Sequence, residues 1–173
     1  RKIASPQGEN VAEAGEPSSA PSPEASVPPP PVADPEEQAS VLVVHPVAST
    51  TRLIRETLEN FTEARVLTTA DPLRAFELAL QRRHALYFFA MRPGELSGPT
   101  LYELISMAFS AGRGPRLLAP GVVFIREKED PKLPDSLTRD VRVKDVLNKP
   151  IRIERLLESV RGVLEVKDPT ARG

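Results

Sequence analysis

Apolar residues follow two alternating patterns between residues 40 and 167. Short apolar runs rich in β-branched and aromatic residues are typical of strands that are buried on both faces. Between these runs, apolar residues recur at spacings of three and four, which predicts amphipathic helices. The predicted strands are VLVV (41–44), ARVLTTA (64–70), HALYFFA (84–90), GVVFI (121–125) and a brief run within 143–148.

The predicted helices have identifiable beginnings and ends. Ser49 or Thr50 is expected to cap the first helix, and Asp71 with Pro72 is expected to begin the second. The third helix is predicted to end at Gly112, and the apolar residues of the last extend to about residue 166. The predicted bounds are about 49–61, 72–83, 99–111, 134–140 and 152–166.

Strands and helices therefore alternate five times over roughly 130 residues. Such alternation predicts a parallel sheet with helices on both faces and right-handed crossovers. The expected fold class is α/β, a flavodoxin-like, doubly wound sheet with strand order 2-1-3-4-5. In such folds ligands bind at the carboxyl ends of the strands.

Residues 1–39 have a different composition from the rest of the chain. They contain nine of the 19 prolines, a run of four prolines at 28–31, and a net charge of −5. This composition predicts a disordered acidic linker that acts as a semi-rigid spacer, with a docking peptide for an aromatic groove as the alternative. The expected organisation is this linker, a domain over 40–168 and a frayed tail over 169–173.

Composition excludes several classes of protein. The absence of cysteine excludes disulfides, cysteine nucleophiles and thiolate metal sites. The chain shows no membrane-length apolar stretch and no nucleotide-binding glycine motif. The segment GRGPR (112–116), together with Arg82, Arg83 and Arg92, is interpreted as a solvated basic loop rather than a phosphate-binding patch, since few aromatic residues are present for base stacking. The chain begins at Arg1, so we interpret it as a piece of a longer, cytoplasmic protein.

Three stretches of this pattern resemble a known family. They are VLVV followed by a helix that contains Arg52, the loop MRPGELSG (91–98) after the third strand, and VLNKP (146–150) at the end of the fifth. In this order they resemble the receiver domain of two-component response regulators over about residues 40–167. The resemblance implies a CheY-like fold.

The resemblance also implies where the family's phosphoryl-transfer groups would lie. That chemistry needs an aspartate nucleophile, Mg²⁺ held by carboxylates, a lysine and a Ser/Thr hydroxyl. The acidic metal-binding pair falls on His45 and Pro46, and the phosphoacceptor falls on Phe89. The hydroxyl position falls on Arg126 or nearby, and only Lys149 matches. The chain is therefore interpreted as a degenerate pseudo-receiver that is not an enzyme and holds no Mg²⁺.

The two histidines and the remaining lysine have simpler interpretations beside the functional ones. His84 is expected on the surface. His45 is a candidate pH sensor or soft-metal ligand, or else makes a structural hydrogen bond to the loop after the third strand. Lys149 is interpreted as shaping the turn before the last helix, with its ammonium paired to Glu127 or Asp145, or solvated.

The function predicted from the resemblance is non-catalytic protein–protein interaction. The domain would be a tethered docking or dimerisation unit of a larger protein, without contact to nucleic acid or membrane. By family analogy, a partner protein or second copy would bind the face of the fourth helix, fifth strand and fifth helix, through Arg139, Arg142, Lys144, Arg152 and Arg155. The alternative is a small-ligand sensor that uses the former phosphorylation pocket, lined by His45, Phe88, Phe89, Met91 and Lys149.

Overall fold

The computed structural model describes residues 38–112 and 119–167. Five strands and five helices alternate along these residues. The strands are β1 (Ser40–Val44), β2 (Arg65–Thr69), β3 (Leu86–Ala90), β4 (Gly121–Arg126) and β5 (Val143–Asn148). The helices are α1 (Ala48–Phe61), α2 (Pro72–Gln81), α3 (Gly98–Ala111), α4 (Asp135–Thr138) and α5 (Ile153–Val160).

The strands form one parallel sheet in the order β2-β1-β3-β4-β5, which confirms the predicted fold class. The register pairs Val44 with Phe89 and Phe89 with Phe124. The carboxyl ends of the three central strands, β1, β3 and β4, therefore lie side by side. A β-bulge interrupts the pairing of β4 with β5 near Val122 and Val123.

Side chains that alternate along each central strand pack into two separate cores. Val41, Val43 and Phe88 pack with residues of α1 and α5 on one face. Leu42, Val44, Tyr87 and Phe89 pack with residues of α2 and α3 on the other. Burial on both faces explains why these strands are almost continuously apolar in sequence.

The helix beginnings agree with the sequence at α2 and differ at α1. The Asp71 side chain accepts a hydrogen bond from Leu73 N–H at the start of α2, as predicted. For α1, the predicted cap at Ser49 or Thr50 is wrong, because the helix begins at Ala48 and has no side-chain cap. The Val47 carbonyl already accepts from Thr50 N–H, which places both predicted caps inside the first turn.

Helix α2 packs through its alanines, and the predicted end of the last helix needs correction. Ala75 and Ala79 of α2 face the sheet, whereas Leu73 and Leu80 are 71% and 51% exposed. The final helix ends at Val160, and residues 161–164 form turns instead. Gly162 therefore lies beyond the helix.

Several predictions fall outside the described residues. These are the linker over 1–37, the basic segment over 113–116 and the tail over 169–173. Within the residues that are described, no helix is both long and apolar enough to cross a membrane.

Among the glycines within residues 38–112 and 119–167, Gly98 is predicted to be the one that the fold can least replace. It starts α3 directly under β3, and a Cβ added there would lie against the Ala90 carbonyl oxygen, well inside van der Waals contact. Gly98→Ala should therefore lower the free energy of unfolding by roughly 2 kcal/mol, as other overpacked sites do. Gly162→Ala is the matched control, since no atom lies within 4 Å of its added Cβ. Urea unfolding of both variants gives the comparison, and equal midpoints would contradict this account.

Candidate functional site at the carboxyl end of the sheet

Phe89 lies at the centre of the candidate site and is fully buried. Its ring stacks on Tyr87, with 5.0 Å between ring centroids and 10° between planes. Tyr87 in turn meets Tyr102 edge-on at 6.2 Å. Phe89 thus belongs to an aromatic cluster that continues the core to the end of β3.

The loop after β3 is fixed by backbone hydrogen bonds. Met91 N–H donates to the Ile125 carbonyl at 3.0 Å, and Gly98 N–H donates to the Met91 carbonyl at 2.9 Å. The Ser97 hydroxyl accepts from Thr100 N–H and so caps α3. These bonds hold the loop closely against β3 and β4.

Lys149 is paired with Glu127. Its Nζ lies 2.9 Å from Glu127 Oε1, which is one of the partners considered from sequence. The other candidate, Asp145, pairs with Arg155 instead. Hydrogen bonding to Lys149 lowers the pKa of the exposed Glu127 carboxyl. The peptide bond between Lys149 and Pro150 is cis.

Arg126 organises the loop that carries Glu127. Its guanidinium donates to the Asp130 carbonyl at 2.9 Å and to the Pro131 carbonyl at 3.3 Å. The Asp130 carboxylate accepts from Glu127 N–H at 2.8 Å and lies 3.9 Å from Arg92 Nε. Arg126 therefore holds the turn through backbone carbonyls, while the carboxylates of Glu127 and Asp130 face Lys149 and Arg92. Among the described residues no group of three or more His, Cys, Asp or Glu side chains is placed to hold a metal ion.

His45 is buried beside this charged cluster. Its Nδ1 accepts a hydrogen bond from Val47 N–H at 3.0 Å, so the proton of the neutral ring is on Nε2. Burial, and next the positive charge of Lys149, lower the pKa of His45 to about 4. The ring is neutral near pH 7. Its hydrogen bond is a structural one, although it goes to the loop after β1 rather than to the loop after β3.

His84 is buried, so its predicted surface position is wrong. Its Nδ1 lies 2.9 Å from Ser40 Oγ and its Nε2 lies 3.2 Å from the Leu78 carbonyl. With a neutral ring whose Nε2 donates, both nitrogens are satisfied. Burial lowers the pKa of His84 as well.

The five basic residues of the predicted partner face fall into two groups. Arg142 pairs with Asp140 at 2.6 Å and lies 5.6 Å above the Tyr102 ring. Arg155 pairs with Asp145 and with Glu158, both at 2.8 Å. The remaining three are exposed and have no ion pair with any described residue: Arg139, Lys144 and Arg152.

Tyr87 and Asp130 are the parts of this region that sequence reasoning missed. Tyr87 Oη is buried without a hydrogen-bond partner among the described residues, and burial raises the pKa of Tyr87. Nothing in HALYFFA distinguishes this hydroxyl from an apolar core atom. Asp130 belongs to the run EKED (127–130), which identifies a charged loop but not the carboxylate that folds back to close it.

Comparison with solved structures identifies the fold. The chain is 21% identical to the chemotaxis protein CheY4 of Vibrio cholerae, with a TM-score of 0.58 over 73% of this chain and 99% of that one. It is 18% identical to the signal receiver domain of an HD domain-containing protein from Pseudomonas fluorescens, with a TM-score of 0.60 over 73% and 94%. A CheY-like receiver domain from Methylobacillus flagellatus gives 17% identity and a TM-score of 0.58 over 73% and 98%.

No protein-family model and no curated protein sequence matches the chain. At these identities the solved structures establish the fold alone. The chain has the fold of response-regulator receiver domains, in agreement with the resemblance seen in its sequence.

The buried histidines predict a stability that falls with acid. The pKa of His45 is about 4 in the folded protein and about 6.5 in an unfolded chain. Between these values the unfolded state binds more protons, so stability is complete above about pH 6.5 and is lost as the pH falls toward 4. Urea unfolding at pH 7.5 and 4.5 measures the loss. His45→Asn, which can still accept from Val47 N–H, should show a smaller loss than the unmodified chain. An equal loss would contradict the assignment.

Proposed function

We propose that this domain is a phosphorylation-independent pseudo-receiver that acts as a non-catalytic protein-interaction unit of a larger protein. The observation that supports the proposal most directly is which side chains occupy the carboxyl ends of the strands. An aromatic ring fills the position assigned by sequence spacing to the phosphoacceptor, and a neighbouring carboxylate binds the one matching lysine.

Phe89 supports the loss of phosphoryl transfer. A phenyl ring has no nucleophilic oxygen, and its neighbours along β3, Phe88 and Ala90, have none either. The ring is fully buried and stacked, so the strand end needs no ligand to order it. His45 and Pro46 supply no carboxylate for Mg²⁺, which prefers hard oxygen ligands.

The ion pair between Lys149 and Glu127 supports the same conclusion. In a receiver, the lysine would bind phosphoryl oxygens. Here its ammonium contacts a carboxylate of the same chain at 2.9 Å. The pair is partly exposed and adds little stability. Its consequence is that the cation already has an anionic partner when the domain is unmodified.

A protein partner, or a second copy, is proposed to bind the face made by α4, β5 and α5. The cations available to it are Arg139, Lys144 and Arg152, because Arg142 and Arg155 are held by carboxylates of this domain. The alternative, a small-ligand sensor at the former phosphorylation pocket, receives less support because the Phe89 ring is packed flush against Tyr87.

Phosphorylation independence is tested by thermal unfolding with Mg²⁺ and beryllofluoride. We expect the melting temperature to change by less than about 1 °C, because a ligand raises stability only if it binds the native state. Mg²⁺ alone and fluoride alone are the controls, and an aspartate-containing receiver domain run in parallel verifies the reagent. A rise of several degrees would overturn the proposal.

The partner face is tested by charge reversal in the full chain. Arg139→Glu, Lys144→Glu and Arg152→Glu are combined, and the proteins recovered on the tagged chain are quantified by mass spectrometry, with self-association followed by sedimentation. We expect the specific partner, or the dimer, to decrease at least about tenfold, since reversed charges oppose a complementary surface. Arg52→Glu on α1 is the matched control and should leave recovery unchanged. Equal recovery from the triple variant and the unmodified chain would exclude this face.

A further inference from the structure

The outer edge of β5 presents backbone groups that no other strand uses. β5 is the last strand of the sheet and pairs only with β4. Lys149 N–H donates to the Arg126 carbonyl, and Arg126 is in register with Asn148. In a parallel pair such bonding alternates along the strand, so the N–H and C=O groups of Val146 and Asn148 point away from β4.

One of these groups is occupied and the others are available. Val146 N–H donates to Asp145 Oδ1 at 2.8 Å. No described residue forms a hydrogen bond with the Val146 carbonyl or with the N–H and C=O of Asn148. An exposed edge of this kind is a template for an added strand.

A groove runs beside this edge toward the start of α5. Its volume is about 260 Å³, and its wall is formed by strand residues, by the turn after β5 and by the first turn of α5. The residues that line it are Val146, Leu147, Asn148, Pro150, Ile151, Arg152 and Arg155. Apolar and cationic side chains therefore stand beside the unpaired backbone.

The available charge in the groove is positive. Arg152 is the N-cap residue of α5, is exposed, and has no ion pair with any described residue. No side chain caps α5, and Glu154 in its first turn opposes the positive end of the helix dipole, so the positive charge of this region is that of Arg152. Arg155 is neutralised by Asp145 and Glu158. A carboxylate from outside the domain would therefore meet Arg152 first.

We propose that this groove binds an extended acidic peptide segment of a partner protein, which adds a strand to β5 and places a carboxylate against Arg152. Main-chain hydrogen bonds to the Val146 carbonyl and to Asn148 hold the segment, and Arg152 selects for its charge. This is the β-augmentation mode of peptide recognition. The inference rests on the proposed function, because it names the partner chemistry for one part of the same face.

The test uses the full chain and a fluorescein-labelled octapeptide of alternating glutamate and valine. Fluorescence anisotropy is expected to show saturable binding. A peptide of alternating lysine and valine should bind at least about tenfold more weakly, because it opposes Arg152. A glutamate peptide in which every second backbone nitrogen is methylated should also bind at least about tenfold more weakly. Its methylated nitrogens cannot donate the hydrogen bonds that join an added strand to β5. Amide resonances of Val146, Asn148 and Arg152 should shift on binding.

Variants locate the site. Arg152→Glu should weaken binding of the glutamate peptide at least about tenfold, whereas Arg52→Glu on α1 should change it by less than about twofold. Both substituted side chains are exposed, so both variants should have the same melting temperature as the unmodified chain. Equal binding to the methylated peptide, or an unchanged affinity in Arg152→Glu, would overturn the inference. Absence of binding, or a dimer that buries β5 in the unmodified chain, would overturn it as well.

The failure of this inference is distinguishable from the failure of the proposed function. A chain that loses its partner on triple charge reversal but binds no extended peptide refutes the added strand alone. A melting temperature that rises with Mg²⁺ and beryllofluoride refutes phosphorylation independence and leaves the peptide result unaffected.

Discussion

The whole domain depends on the burial of β3 from both sides. Phe88 extends into the core closed by α1 and α5, and Phe89 extends into the core closed by α2 and α3. Complete burial of one phenyl side chain contributes roughly 2–3 kcal/mol. An ionised carboxylate at Phe89 would need solvent, a cation or a metal at the same place. With a phenyl ring there, the sheet end is completed by apolar packing alone.

The charges around that apolar end are compensated within the domain. Lys149 faces Glu127, and Asp130 faces Arg92 while also closing the loop through Glu127 N–H. His45 stays neutral because burial and the nearby ammonium oppose its protonation. A neutral imidazole adds no further positive charge beside Lys149. At this end of the sheet, Lys149 and Arg92 therefore each face a carboxylate of the same chain.

The sequence predicted the element order because it follows from periodicity, which is a local property. The strand order was predicted from the topology that alternating strands and helices usually adopt. It did not predict the burial of His84, because the ring depends on Ser40, which is 44 positions away, and on the Leu78 carbonyl. It did not separate the exposed Leu73 and Leu80 from the buried Ala75 and Ala79, because hydropathy alone cannot tell that alanines give α2 its close approach to the sheet. Spacing correctly placed Lys149 at the end of β5. Which carboxylate pairs with it, Glu127 or Asp145, depends on the folded loop and could not be predicted from the sequence.

Sequence alone also does not distinguish the cations of the predicted partner face. Read as sequence, Arg139, Arg142, Lys144, Arg152 and Arg155 are equivalent cations. In the fold, Asp140 and the Tyr102 ring hold Arg142, so its guanidinium packs the domain rather than facing a partner. Asp145 divides its carboxylate between Arg155 and Val146 N–H, which removes one cation and one edge donor together. Arg139, Lys144 and Arg152 stay without an ion pair to any described residue, and of these only Arg152 lines the groove beside Val146 and Asn148. That position is why we infer an extended acidic segment rather than a general anionic surface as the ligand.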